Sequence, residues 1–590
     1  MQLVRIGLIL VFWVVGNASV AGEAASTDVA LDNVIADYWD SYLASDPIAA
    51  TGVGVNDFND ILPKVTARAQ ARQLDANRDF LRRLRDLDWD ELSEAGRINA
   101  DLLVWVLEGR IEANELGLSR IPFNTFSGFF MRALTASSSV SMERVQDYED
   151  YINRMSEVPR YFEENMNNMR MGASDGFVLP QIVVDGVLPT VAAQVKDDAE
   201  DSSFFEPFEN MSAKLTAVEQ ERLRDEGRAV IATEVMPAFA KLAEFLANEY
   251  AASESIGAHQ LPNGEAFYAF QIRRYTTLTN TSADEIHATG LAEVARIRED
   301  MDAIIDELEF EGDFAAFTAF LLSDPQFYAT SKQELLQKVA YTAKQVDYLM
   351  PGYFGKLPRQ SYGIVPVPDE IAPNYTTGAY HGAPSVAKNG GAYWVNTYAL
   401  DQRPLYEIPA LTLHEAVPGH HHSNALALEL EDVPAFRRTL GFSAFGEGWG
   451  LYSEKLGVEM GVYKTPYEHF GRLSYEMWRA CRLVIDTGIH SKNWTRQQAI
   501  DYLMNNTALS PANARAEIDR YISWPGQALS YKLGELKIWE LRHRAESALG
   551  DAFDLRAFHD AVLGNGELPL SMLDIEINRF IDRSLDSGQR

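Results

Sequence analysis

Apolar residues recur at three- and four-residue spacing over most of this 590-residue chain, and that periodicity confines it to a mostly α fold. Segments 64–85, 91–115, 141–171, 214–250, 284–308 and 332–350 all read as amphipathic helices. Strand-like residues are few, chiefly 362–367 and 392–398, which leaves room for only a minor β element. Gly and Pro gather at 172–190, 351–396 and 524–531, and the first of these reads as a loop with a short extended piece. A loose boundary near 255–262 divides an N-terminal helical half, 22–260, from a catalytic half, 261–590. No flexible linker is visible between them, so one continuous domain is equally compatible with the pattern.

Charge and cysteine content narrow the function classes. With 52 Lys and Arg against 85 Asp and Glu, the net charge is −33, and such a surface repels phosphate backbones. Nucleic acid is therefore excluded as a partner. The single cysteine, Cys481, rules out an internal disulfide and any Cys-based metal or redox pair. Residues 1–21 carry Arg5, an apolar stretch from Ile6 to Val15, and small residues Ser19 and Ala21. This is the layout of a signal peptide, predicting a mature start near Gly22 or Glu23 and export to a bacterial periplasm or the outside. No lipid-attachment cysteine follows it, and no membrane association is expected after cleavage. The alternative is an uncleaved N-terminal anchor.

Four of the 11 histidines fall in the run LTLHEAVPGHHHSN: His414, His420, His421 and His422. Glu415 follows the first. A His-Glu pair with a further His about a turn or more away is a zinc hydrolase layout, in which histidines hold the metal and the glutamate activates water. The compact His-Glu-x-x-His spacing fails here because residue 418 is Pro. On a straight helix, His421 would lie about 700° on from His414, nearly the same face, but about 10.5 Å along the axis. Pro418 and Gly419 make a straight helix untenable, and a kink would re-aim the following side chains. Spacing alone leaves both His420 and His421 open as the second ligand.

Downstream, in FSAFGEGWGLYSEKLG, Glu447 sits between two glycines and beside Phe and Trp, a poor setting for a solvated charge. It is the candidate third ligand, and Glu454, seven residues on, shares its face. In GGAYWVNTY, small residues precede alternating bulky ones, which suits an exposed strand edge where a peptide lies by strand addition; Ala392 and Tyr393 are the candidate substrate contacts. Arg482, Asp486 and His490 recur at i, i+4 and i+8 as a polar stripe on an apolar helix. An Arg–Asp pair there would brace the histidine or clamp substrate. In SWPGQALSYKLGE, Gln527, Tyr531 and Lys532 follow a helix-opening Pro525.

The blocks HEAVPGHH, GEGWGLYSE, RLVIDTGIH and PGQALSYKLGE, in that order, resemble the bacterial family catalogued as domain of unknown function 885 (DUF885). The resemblance runs from roughly residue 30 to the C-terminus. That family is similar in fold to helical zinc peptidases such as carboxypeptidase Taq and the thimet oligopeptidase group. The resemblance implies a large helical fold with a deep cleft between two halves. Its His-Glu-x-x-Pro-Gly-His pattern implies His414 and His420 as ligands, with Glu447 as the third and one Zn²⁺ per chain. Glu415 would be the general base, and Tyr531 or His490 would stabilise the oxyanion, as a Tyr or His does in related peptidases. A short peptide cut from an end is the implied substrate. The rival readings are a metal hydrolase of a non-peptide amide or ester, and an inactive binding protein on the same scaffold.

Overall fold

The computed structural model describes residues 26–136, 140–369, 371–382 and 389–588; the expected signal peptide lies outside them. Among the described residues the fold is mostly α with one three-stranded sheet. Among the described residues, no helix is long and apolar enough to cross a membrane.

The expected helices are present with small shifts, such as Ala67–Arg85, Glu94–Glu115 and Lys332–Tyr353. The expected loop at 172–190 is instead largely helix, Gln181–Ala192. Pro and Gly suggested a break, yet Val183, Val184, Val187 and Val191 are buried on one helical face, and burial of that face overrides local propensity.

The elements that carry the candidate site are α1 (Ala283–Glu307), β1 (Tyr362–Pro366), β2 (Gly378–His381), β3 (Gly391–Val395), α2 (Ile408–Glu415), α3 (His420–Leu428), α4 (Ser443–Glu459), α5 (Pro466–Ser491), α6 (Pro511–Ser523) and α7 (Ser530–Leu549). Helix α5 starts at a capping box, with Thr465 Oγ1 accepting from the Glu468 amide and the Glu468 carboxylate accepting from the Thr465 amide. Every residue from Arg479 to His490 is buried, so α5 runs through the middle of the protein. It packs against α1 at Gly290, where a Cβ would meet Leu483 and Val484 at 2.8 Å. Helices α4 and α7 cross where Gly448 faces Gly534; a Cβ on Gly448 would lie 2.5 Å from the Gly534 backbone.

The sheet order is β1-β3-β2, with β1 parallel and β2 antiparallel to β3. The segment expected to offer a free edge is therefore the central strand. Ala392 pairs with Gly363 on one side and His381 on the other, and the Tyr393 side chain is fully buried. Neither residue can take a peptide by strand addition, because their main-chain groups are already in the ladder. The two larger hydrophobic cores each draw on residues from both sides of position 260: Phe162 and Phe239 pack with Met477 and Ile485, and Leu103 and Leu107 with Leu413 and Trp449. Packing thus does not follow the expected divide.

Candidate metal centre

Helix α2 stops at Glu415 and α3 restarts at His420. Between them the Gly419 amide donates to the Leu413 carbonyl (3.0 Å) and the His421 amide to the Ala416 carbonyl (3.1 Å). Gly419 passes so close to His414 that a Cβ there would run into the His414 carbonyl. This tight return brings His420 back beside His414, their rings perpendicular with centroids 4.7 Å apart. His421 points elsewhere, its ring nitrogens engaging the Tyr380 hydroxyl (3.1 Å) and the Gln360 carbonyl (3.0 Å). Of the two histidines that spacing left open, His420 is the one at the cluster.

The Glu-Gly-Trp-Gly run of α4 meets this turn residue by residue. Glu447 Oε2 lies 3.4 Å from His414 Nε2 and 3.5 Å from His420 Nε2. Gly448 permits the approach of α7. The Trp449 indole donates to the Pro418 carbonyl at 2.7 Å, tying the turn to α4. Gly450 leaves space for the His414 ring, since a Cβ would stand 2.5 Å from its Cε1.

His414, His420 and Glu447 offer three ligand atoms within 4.8 Å of one another. Their chemistry fits zinc, which takes imidazole nitrogen and carboxylate oxygen at about 2.0–2.2 Å in a tetrahedron. Ligand atoms around such an ion stand roughly 3.3–3.6 Å apart by that geometry, which spans the two separations found. His414 is held for this role from behind: its Nδ1–H donates to buried Glu454 Oε1 at 2.8 Å, leaving the Nε2 lone pair toward the cluster. Carboxylate support of a ligating imidazole fixes its tautomer and raises its basicity. Electrostatics point the same way. Burial alone would lower the His414 pKa, but hydrogen bonds to Glu447 and Glu454 outweigh it and push it up to about 10. Burial alone would raise Glu447, but the two histidines hold its carboxyl well below the ordinary range. The carboxylates thus favour positive charge at His414, either a proton or a metal ion that displaces it.

Glu415 stands beside the cluster rather than in it. Its Oε2 accepts from the Tyr380 amide at 2.7 Å. Tyr380 lies on β2, whose outer edge faces α2. Sequence reasoning missed Tyr380, and it missed Glu567, which accepts from the Phe442 amide at 2.6 Å and touches Gly446. Burial pushes the Glu567 carboxyl up to about 7, against that amide bond. Nothing local in sequence marks either residue, since both meet the site through long-range packing.

The α5 stripe does not pair as expected. Arg482 binds Glu517 (3.2 Å) and the Tyr521 hydroxyl (2.9 Å) on α6, not Asp486. Asp486 accepts from the Tyr268 hydroxyl (2.6 Å) and the Gly526 amide. His490 is enclosed by backbone: the Ala258 amide donates to its Nδ1 (3.1 Å) and its Nε2–H donates to the Tyr521 carbonyl (3.0 Å). With both nitrogens committed, an oxyanion role does not fit His490. Periodicity placed these residues on one face, but each reaches a different neighbouring element. Tyr531, on α7, accepts from Arg520 at 3.2 Å and lies under Arg482, 4.2 Å from ring centroid to guanidinium carbon.

A family model described as bacterial protein of unknown function (DUF885) matches residues 47–577. Among curated proteins, none matches. The crystal structure of a candidate lipoprotein from Colwellia psychrerythraea is similar over 95% of this chain and 100% of its own, with TM-score 0.88 and 27% identity. A candidate lipoprotein of unknown function from Shewanella oneidensis shares the fold with TM-score 0.71 and 18% identity, over 93% of this chain and 99% of its own.

Proposed function

Because the chain belongs to the bacterial DUF885 family, whose function is unknown, its activity has to be read from its own side chains, and we propose that it is an exported zinc-dependent hydrolase that cuts short peptides from an end. The observation that carries this reading is the convergence of His414, His420 and Glu447 within 4.8 Å, with Glu415 beside them. One Zn²⁺ per chain would be held by those three residues, and it supplies Lewis-acid chemistry, lowering the pKa of water and polarising a carbonyl.

The chain's own groups do the rest. Glu415 accepts a proton from the attacking water, whose oxygen bonds to the peptide carbonyl carbon. The C–N bond then breaks, and Glu415 returns the proton to the leaving amine. The Tyr380 amide holds one carboxylate oxygen of Glu415, which fixes the direction of the other. Tyr531 accepts a hydrogen bond from Arg520, so its own proton is available to the oxyanion. Glu454 keeps His414 in the required tautomer. Export rests on the pattern of residues 1–21 and agrees with the description of the Colwellia and Shewanella relatives as candidate lipoproteins, a class of exported proteins.

The test is metal analysis of the purified protein joined to a peptide-library cleavage profile, with and without a chelator. Stoichiometric zinc and cleavage that a chelator abolishes and zinc restores are expected. A metal-free protein with no zinc-dependent cleavage would overturn the reading.

A further inference from the structure

Three arginines gather around Tyr531. Arg479 and Arg482 come from α5 and Arg520 from α6; all three are buried. Their guanidinium carbons lie 6.0, 4.2 and 6.0 Å from the Tyr531 ring centroid. The carboxylates around them do not balance this charge. Glu517 accepts from Arg482 (3.2 Å) and Arg520 (3.4 Å), and those two arginines hold its carboxyl below the usual range although burial alone would raise it. Glu454 lies 4.0 Å from Arg479 but is already bound to His414. Glu407 faces Arg479 and Arg403, yet burial pushes its carboxyl up to about 7. Asp486 is turned to Tyr268 and Gly526.

The donors of the cluster are correspondingly in excess. Arg482 Nη1, Arg479 Nε and Arg520 Nε are buried with no hydrogen-bond acceptor among the described residues. Gln527 Oε1 takes one Arg520 N–H at 2.6 Å and so orients that guanidinium. Buried charges and donors of this kind are costly unless an anion completes them. The cluster adjoins the metal centre, because Glu454 bridges Arg479 at 4.0 Å and His414 at 2.8 Å. It also approaches the surface, where Phe126, 58% exposed, lies 5.3 Å from the Arg520 guanidinium.

We propose that Arg479, Arg482 and Arg520 bind the free α-carboxylate of the substrate's C-terminal residue, so that the enzyme removes residues from the carboxyl end of peptides. The inference rests on the hydrolase reading above and specifies which end is cut. Guanidinium forks match carboxylates in geometry and charge. A C-terminal amide offers neither the charge nor the second acceptor, and leaves those donors unpaired.

The experiment compares a tripeptide library bearing free carboxyl termini with the same library amidated, using the zinc-loaded full chain. Free acids are expected to be cleaved with at least about 100-fold higher kcat/KM, mostly through KM. Arg520→Gln and Arg482→Met should shrink that ratio, while Arg482→Lys, which keeps the charge, should retain part of it. Because these arginines are buried and a variant can misfold, the acid–amide comparison on the unaltered protein decides alone. Equal kcat/KM for acids and amides overturns the carboxylate site and leaves the hydrolase standing. If neither library is cleaved, the hydrolase reading fails, and calorimetric titration of both libraries into Glu415→Gln protein decides the rest. Tighter binding of the acids would uphold the carboxylate site, and equal or absent binding would overturn it.

Discussion

Replacing Glu415 by Gln separates chemistry from architecture at this site. Glu415 is nearly buried and its Oε2 accepts from the Tyr380 amide at 2.7 Å. A glutamine has the same length, and its amide oxygen can keep that bond, so the contact between α2 and β2 survives. None of the three candidate ligand atoms belongs to residue 415, so zinc content should be unchanged. What the variant loses is a group able to accept a proton from water. A positioned general base contributes about 10²–10⁴-fold, which at 1.36 kcal/mol per decade is roughly 3–5 kcal/mol of transition-state stabilisation. The loss should fall on kcat, since the substituted atoms act in the transition state rather than in binding. The assay is kcat on a cleaved peptide, with zinc measured in the same sample and the fold checked by circular dichroism. Full zinc with near-normal turnover would remove Glu415 from the mechanism and with it the proton path described above. Loss of zinc together with activity would show that residue 415 holds the metal, contrary to its tie to Tyr380.

His420→Ala should empty the zinc site, whereas His421→Ala should keep most of the metal, because His421 is turned to Tyr380 and Gln360; metal analysis of both variants distinguishes them. Glu454→Gln should weaken zinc binding about 10–100-fold, the usual effect of losing a carboxylate behind a ligating imidazole, read by competition with a chelator. Gly450→Ala should displace the His414 ring and lower zinc affinity, given the 2.5 Å approach of a Cβ to its Cε1; unchanged affinity would show that the α4 contact does not position that ligand. His490 and His559 are buried neutral, and burial pulls them down to about 4 and about 3. The unfolded chain takes up protons near pH 6.5 that the folded chain refuses, so their contribution to stability is present above that pH. It is lost as pH falls from 6.5 toward 4, at about 1.4 kcal/mol per pH unit for each group. Melting temperature should fall across that window, and a flat profile would show that these imidazoles are not held neutral.

The candidate cluster was legible because few residue types can hold a metal and they stood close together in the chain: two histidines, a glutamate beside the first, and a glutamate hemmed by glycines. The Pro418–Gly419 break was legible as a break. Which histidine it returns to His414 was not, because that depends on the Leu413–Gly419 and Ala416–His421 hydrogen bonds, a path that helical angles cannot supply. Strand alternation marked 392–398 as β but carried no information on its neighbours, and β2, four residues reading GAYH, is too short to announce itself. The expected open edge was thereby assigned to the central strand. Periodicity likewise placed Arg482, Asp486 and His490 on one face of α5 without saying which element each would meet.

The glycines show the limit most clearly. In sequence, Gly446, Gly448 and Gly450 say only that something approaches α4 closely. In the fold they are three separate demands, for the Glu567 carboxylate, for the backbone of α7 and for the His414 imidazole. Three partners from distant parts of the chain must therefore be in place before Glu447 can face both histidines. It follows that the candidate ligand set is assembled by tertiary packing rather than by the local motif. A peptide carrying only 408–428 should lack the site, and disturbing the α4–α7 crossing should act on zinc binding from a distance. Gly534→Ala, whose Cβ would run into the Ala444 carbonyl, touches no candidate ligand. It should nevertheless lower both stability, by about 1–3 kcal/mol for overpacking, and zinc affinity. If it lowered the melting temperature but left zinc affinity intact, the crossing would be structural alone and Glu447 would be held by its own helix.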